Sequence, residues 1–139
     1  MIGTRTPFRI SFVGGGSDLK EFYQHHDGAV ISTSIDKYVY IFLHPYFSEK
    51  TQVKYSKTEL VDSIENIEHP IVRELLGKFN LNGIDINSIA DIPSGTGLGS
   101  SSSFTVGLTN ALYAYTNQFT SSSQLAKYAC HLEIEVLRE

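Results

Sequence analysis

Residues 93–103 read Pro-Ser-Gly-Thr-Gly-Leu-Gly-Ser-Ser-Ser-Ser. Gly95, Gly97 and Gly99 can adopt backbone conformations closed to other residues, and none carries a Cβ that would block a ligand. An apolar run of helical period follows, so Ser100–Ser103 form the first turn of a helix. The first N–H groups of a helix have no internal partner, and they sit at the positive end of a dipole equivalent to about half a charge. A phosphate is the natural occupant of such a turn. The serine hydroxyls add hydrogen bonds, or bind a metal that accompanies phosphates. One exposed contact of this kind contributes only ~0.3–1 kcal/mol, so useful affinity needs several donors converging on a polyphosphate. Glycine plus serine is also linker composition, but strongly patterned flanks and a sharp helix start argue against a linker. Other phosphate and nucleophile motifs fail on spacing. Gly95 and Gly99 are four residues apart with no lysine after them, which excludes a Walker A loop. The even glycine spacing excludes the dinucleotide fingerprint. No serine in 100–103 has glycines two residues away on both sides, as a hydrolase elbow needs.

The elements that must carry this loop are legible from periodicity. Residues 5–13 alternate, with Phe8, Ile10 and Phe12 on one face and Arg9 and Ser11 on the other, the pattern of a half-buried strand. The strand runs into Gly14-Gly15-Gly16-Ser17-Asp18 and then a short helical turn at 19–23. Ala29–Ile35 and Lys37–Leu43 read as two further strands, rich in β-branched and aromatic residues, and Thr51–Tyr55 as another. Residues 70–79 place Ile71, Val72, Leu75, Leu76 and Phe79 at helical spacing, with Pro70 at a first helical position. Ile84 and Ile86 mark a strand leading to Pro93. Phe104, Leu108, Ala111, Leu112, Tyr115 and Phe119 mark a second helix. Ser121-x-x-Gln124 resembles a capping box that opens a third from Gln124 onward.

The bulk properties bound the function. The 139 residues suit one domain, and 41% hydrophobic with 19% charged residues can bury a core. A formal net charge of −4 argues against a nucleic-acid partner. The longest apolar run, Tyr38–Leu43, is too short for a bilayer, so no membrane role is expected. With one cysteine, Cys130, no internal disulfide can form, and a cytoplasmic setting is the simple reading. The chain stops at Glu139 inside a helical pattern without a glycine cap or proline, which reads as a domain cut short.

The sequence resembles the GHMP kinases, the superfamily of galactokinase, homoserine kinase, mevalonate kinase and phosphomevalonate kinase. Pro93–Ser101 matches their Pro-x-Gly-x-Gly-Leu-Gly-Ser-Ser signature at every fixed position. Pro7-x-Arg9-Ile10, with Asp18 nine residues after the arginine, matches their N-terminal signature. The resemblance covers essentially all of residues 1–139, but only the N-terminal part of a family member. Many members carry Gly-Glu-His in the first motif; here it reads Gly14-Gly15-Gly16-Ser17-Asp18. That variant is similar to the branch of the D-glycero-D-manno-heptose 7-phosphate kinases and the kinase part of fucokinases, and "TPFRISFVGGGSDL" is most similar to the former.

The resemblance implies an ATP- and Mg²⁺-dependent kinase acting on a small sugar or sugar phosphate, most plausibly at the anomeric hydroxyl of heptose 7-phosphate. The alternatives are fucose, galactose or an isoprenoid precursor as substrate, or a non-catalytic sugar and ATP sensor. It implies an α+β fold: a mixed or antiparallel sheet, helices on one side, and a left-handed βαβ unit. Pro93, Gly95, Thr96, Gly97, Leu98, Gly99, Ser100, Ser101 and Ser102 would hold the ATP phosphates, with Ser100 or Ser101 near Mg²⁺. Gly15, Gly16, Ser17 and Asp18 would meet the sugar, Asp18 accepting hydrogen bonds from its hydroxyls. Arg9 would lie near the reaction centre and contact substrate. Asp18 could instead cap the turn at 19–23, and Arg9 could simply face solvent.

Family members also place a magnesium-binding glutamate on the helix after the glycine loop and its helix. Glu133 and Glu135 are the candidates. At about 100° per residue they fall on opposite edges of the Leu125, Ala129, Leu132 and Val136 stripe, and the resemblance favours Glu135. Cys130, Ile134 and Leu137 would bury the other side of that helix. The family's catalytic base, an aspartate, would lie beyond Glu139, so these residues alone are expected to show little turnover. His25-His26 lacks a partner pair for a metal and reads as a solvated loop.

Overall fold

The computed structural model describes residues 1–137. Five strands form one sheet: β1 (Ile2–Val13), β2 (Ile31–Pro45), β3 (Thr51–Lys54), β4 (Thr58–Val61) and β5 (Ile84–Ala90). Their order is β1-β2-β5-β3-β4. All pairs are antiparallel except β3 with β5. The sheet is therefore mixed, and the parallel pair is joined by a crossover through α2 (Pro70–Phe79). The other helices are a single turn α1 (Lys20–Tyr23), α3 (Ser100–Tyr115) and α4 (Ser122–His131). A π-helical turn, Leu132–Val136, continues from α4.

Two expected strands are one. Asp36, the residue between them, does not end the strand; it faces solvent within β2, at a register shift opposite Pro7–Arg9 in a pairing that runs from Ile2 opposite Leu43 to Val13 opposite Ile31. A bulge of this kind lets a strand carry extra residues without ending, and the pairing resumes on both sides of it. Strand β4 has little apolar alternation and escaped the sequence reading. Phe119, assigned to the second helix, lies outside it and is 91% exposed, because α3 ends at Tyr115 and Asn117 takes a left-handed φ of 56°.

One face of the sheet packs on the helices. Phe8, Val39, Ile41, Leu43, Val53, Ile84 and Ile86 meet Ile71, Val72, Leu75, Leu76, Phe104, Leu108 and Leu112. Helix α3 lies very close to β1. A Cβ on Gly107 would fall 2.7 Å from Thr6 Oγ1, and Thr4 Oγ1 donates to the Gly107 carbonyl at 2.9 Å. Ser103 Oγ donates to the Pro7 carbonyl at 2.9 Å, pinning the first turn of α3 to the strand that carries Arg9.

Ser121 and Gln124 form the expected capping box at the start of α4. Leu125, Ala129 and Leu132 are buried, while Cys130 is exposed and Val136 is 43% exposed. The far side of this helix is thus only partly covered: Cys130 is exposed, Ile134 is half-buried and Leu137 packs against the core. The turn at 132–136 is wider than an α-turn, with the Leu137 N–H donating to the Leu132 carbonyl.

Candidate active site

The site forms where the strand-to-helix loop after β5 meets the end of β1. Gly95, Gly97 and Gly99 have φ of 80°, 74° and 75°, the left-handed region where glycine has no Cβ penalty. Gly99 is the N-cap of α3 and supplies no side-chain cap. The amides of Ser100–Ser102 therefore open toward whatever occupies the loop. A Cβ built on Gly95 or Gly97 would meet nothing within 4 Å, so their backbone borders open space. That cradle fits a phosphate chain.

Arg9 is exposed, and it is also bound to this loop. Its N–H donates to the Leu98 carbonyl at 3.0 Å and its Nη1 to the Gly97 carbonyl at 3.1 Å. Its side chain lies so close to Gly99 that a Cβ there would sit 3.1 Å from Arg9 Cγ.

Of the two candidate glutamates, Glu133 reaches the loop's helix. Its carboxylate lies 3.2 Å from Ser101 Oγ, 3.0 Å from Ser102 Oγ and 2.9 Å from Thr105 Oγ1. Glu135 points elsewhere and pairs with Lys20 of α1 at 3.5 Å. The two glutamates lie on opposite edges of the helix, and its packing turns the Glu133 edge toward α3. Oxygen donors of this kind suit Mg²⁺, which binds through one or two carboxylates while taking its remaining ligands from phosphates and water. Among the described residues no cluster of three or more His, Cys, Asp or Glu could hold a metal, so phosphate oxygens would have to complete a shell around Glu133. Thr105 joins this group without any sequence signal, since its spacing is that of a core threonine.

The first-motif loop closes on itself. Ser17 Oγ lies 2.7 Å from the Gly14 carbonyl and 2.9 Å from the Ala29 carbonyl, and it accepts from the Ala29 N–H at 3.0 Å. Its hydroxyl thus holds the loop's shape. Gly15 and Gly16 have nothing near their Cβ positions. Asp18 is exposed and does not cap α1, whose N-cap is Leu19. The Lys20–Glu135 pair ties this segment to the π turn, so the loop carrying Asp18 and the turn carrying Glu133 are linked. The position proposed for the base, beyond Glu139, lies outside the described residues.

A cavity of about 530 Å³ opens beside the glycine loop, lined among others by Phe8, Tyr55, His69, Ile92, Ser100 and Phe104. The His69 ring stacks on Phe104 at 5.0 Å and meets Tyr55 edge-on at 4.8 Å. Burial holds His69 below its ordinary value, against the opposing charge of Glu59. Burial, followed by the hydrogen bond and charge of Glu59, pushes the Tyr55 phenol up to about 12. Glu59 accepts from Tyr55 Oη at 2.9 Å and from the Glu68 and His69 amides at 2.6 and 3.2 Å. The cavity draws its residues from six separate segments, which is why no sequence spacing announced it.

The chain is similar to known proteins in sequence and in fold. A D-glycero-alpha-D-manno-heptose 7-phosphate kinase of Campylobacter jejuni is 28% identical over 98% of this chain and 44% of its own length. The crystal structure of a D-glycero-D-manno-heptose 1-phosphate kinase from Bacteriodes thetaiotaomicron superposes with a TM-score of 0.85, at 19% identity, covering 99% of this chain and 49% of that one. The Streptococcus pneumoniae phosphomevalonate kinase in complex with phosphomevalonate and AMPPNP gives 0.72, at 20% identity, covering 95% and 42%. The chain thus spans about half the length of the relatives it matches. The model of the GHMP kinases N terminal domain matches residues 67–139, over half of the chain, and the chain belongs to that family.

Proposed function

We propose that this chain holds the ATP-phosphate site and part of the sugar site of a GHMP-type kinase that phosphorylates the anomeric hydroxyl of D-glycero-D-manno-heptose 7-phosphate in the cytoplasm. The observation that carries the reading is the approach of Glu133 to Ser101, Ser102 and Thr105 at the mouth of an open glycine loop. The 28% identical heptose kinase supports the substrate.

Bound Mg-ATP would supply the transferable phosphoryl group and neutralise its charge. The chain's own residues then do three things. The loop amides and the start of α3 cradle the phosphates at the positive end of the helix dipole. Glu133 and the serine hydroxyls orient the metal-bearing end of the triphosphate. The cavity beside Phe104 and His69 takes the nucleoside base, since its volume falls in the range of small-ligand pockets. Asp18 and the open backbone of Gly15 and Gly16 receive the sugar hydroxyls. Phosphoryl transfer depends chiefly on positioning and charge stabilisation, with a base orienting the nucleophile. We assign that base to polypeptide beyond Glu139.

Thermal-shift titration of the purified chain with Mg-AMPPNP, alone and with sugars, tests the reading. Stabilisation by the nucleotide and a further shift with heptose 7-phosphate are expected. A shift with galactose, fucose or mevalonate but none with heptose 7-phosphate would reject the substrate. No shift with nucleotide would reject the kinase reading. Rapid turnover by residues 1–139 alone would show that the base lies within them.

A further inference from the structure

We infer that Arg9 is the positioning residue that aims the amides of the glycine loop, in addition to any contact with substrate. The inference rests on the nucleotide-site reading only for its consequence; the loop geometry stands without it. Strand β1 is an edge strand of the sheet, so its outer N–H groups need partners. A register shift between Pro7 and Arg9 in its pairing with β2 occurs where the Arg9 N–H takes the Leu98 carbonyl as acceptor at 3.0 Å. The guanidinium reaches one residue further back and binds the Gly97 carbonyl at 3.1 Å.

Two consecutive peptide units, 97–98 and 98–99, are thereby held by their carbonyls to one residue. In a planar trans peptide the C=O and N–H point in opposite directions. Fixing the carbonyls of Gly97 and Leu98 on Arg9 forces the amides of Leu98 and Gly99 to point away from β1. Among the described residues neither amide has a backbone acceptor. The side chain also fills the space where a Cβ on Gly99 would sit, with Nε 3.3 Å and Cζ 3.4 Å from that point. It therefore restrains the left-handed φ of 75° at Gly99, which starts α3. One arginine thus sets two of the donors of an anion nest and the direction of the helix behind it. Lysine has a flexible stem and a point charge, without a planar face to lie against Gly99 or a fork to span two groups.

Arg9→Met and Arg9→Lys, compared with wild type, test this. In ligand-free protein, amide NMR shifts and hydrogen exchange of Leu98 and Gly99 should change in both variants, while the urea midpoint stays close to wild type. Mg-AMPPNP affinity should fall about tenfold in Arg9→Met, the scale of one lost charge-assisted hydrogen bond, and Arg9→Lys should recover little of it. Full recovery in Arg9→Lys would mean that charge alone acts, and would overturn the inference. So would unchanged Leu98 and Gly99 amides in Arg9→Met, or in Arg9→Lys if the methionine variant fails to fold. If wild type bound no nucleotide, the kinase reading would fall, and the ligand-free amide signals would still decide the role of Arg9.

Discussion

Glu133 Oε2 and Ser102 Oγ, 31 residues apart in sequence, lie 3.0 Å apart across the junction of the π turn and the first turn of α3. On the proposed function, this carboxylate among three hydroxyls at a helix N-terminus would meet a cation that arrives with phosphates. Glu133→Gln keeps one oxygen acceptor for the hydroxyls, turns the other oxygen into an amide NH2 that donates, and removes the charge. The variant should bind AMPPNP about tenfold or more weakly in Mg²⁺, and affinity should lose most of its dependence on Mg²⁺ concentration. Glu135→Gln, which breaks only an exposed pair worth at most ~1 kcal/mol, should bind like wild type. Calorimetric titration at several Mg²⁺ concentrations reads both. Equal losses in the two variants would discard Glu133 as the metal-facing residue.

Gly107 is fixed by packing rather than by backbone conformation. Alanine is favoured over glycine in a helix by ~0.5–1 kcal/mol. Against that, its Cβ would meet Thr6 Oγ1 at 2.7 Å and Ile41 Cδ1 at 3.3 Å, and overpacking of this kind costs ~1–3 kcal/mol. Thr6 is β-branched and stiff at χ1, so the clash wins. Gly107→Ala should lower stability by about 1 kcal/mol in urea unfolding; a stabilised variant would refute the close helix–strand contact.

Glu59 is 9% exposed and organises the entry to α2. Replacing it with alanine leaves the Glu68 and His69 amides and the Tyr55 hydroxyl without their acceptor. The expected loss is about 2–3 kcal/mol in urea unfolding. The Tyr55 phenol should also titrate below its present value of about 12, because one of the causes holding it up is removed. NMR titration of the assigned Tyr55 ring, resolved from the other tyrosines, reads this, and an unmoved Tyr55 would contradict the pairing.

His69 makes stability depend on pH. Its folded value is held below the ordinary 6.5 by burial. The unfolded chain therefore takes up the proton first as pH falls, and the stability associated with the neutral ring, present above 6.5, is lost as pH drops through 6.5 toward the folded value. His69→Phe keeps an aromatic ring between Tyr55 and Phe104 and removes the titration. The variant should gain on wild type in urea midpoint as pH is lowered below 6.5, and a difference constant with pH would refute the burial of a neutral imidazole.

The sequence alone determined the local parts of this protein. Helix α2 falls on Pro70–Phe79, as the spacing of Ile71, Val72, Leu75 and Leu76 required. The capping box of Ser121 and Gln124 opens α4, and three glycines with left-handed φ lead into α3. These features are written in a few consecutive residues, where side-chain shape and backbone sterics act directly. Tertiary structure decided what depends on distant partners. Asp36 reads as a break between two strands, but β1 pairs with β2 on both sides of it across a register shift. Glu133 and Glu135 could not be told apart by a 100° step, because only the docking of this helix on α3 decides which of its two edges meets Ser101, Ser102 and Thr105. The grip of Arg9 on Gly97 and the cavity at His69 join residues dozens of positions apart. Such contacts are selected by the burial and hydrogen bonding of the whole fold, and no local pattern encodes them.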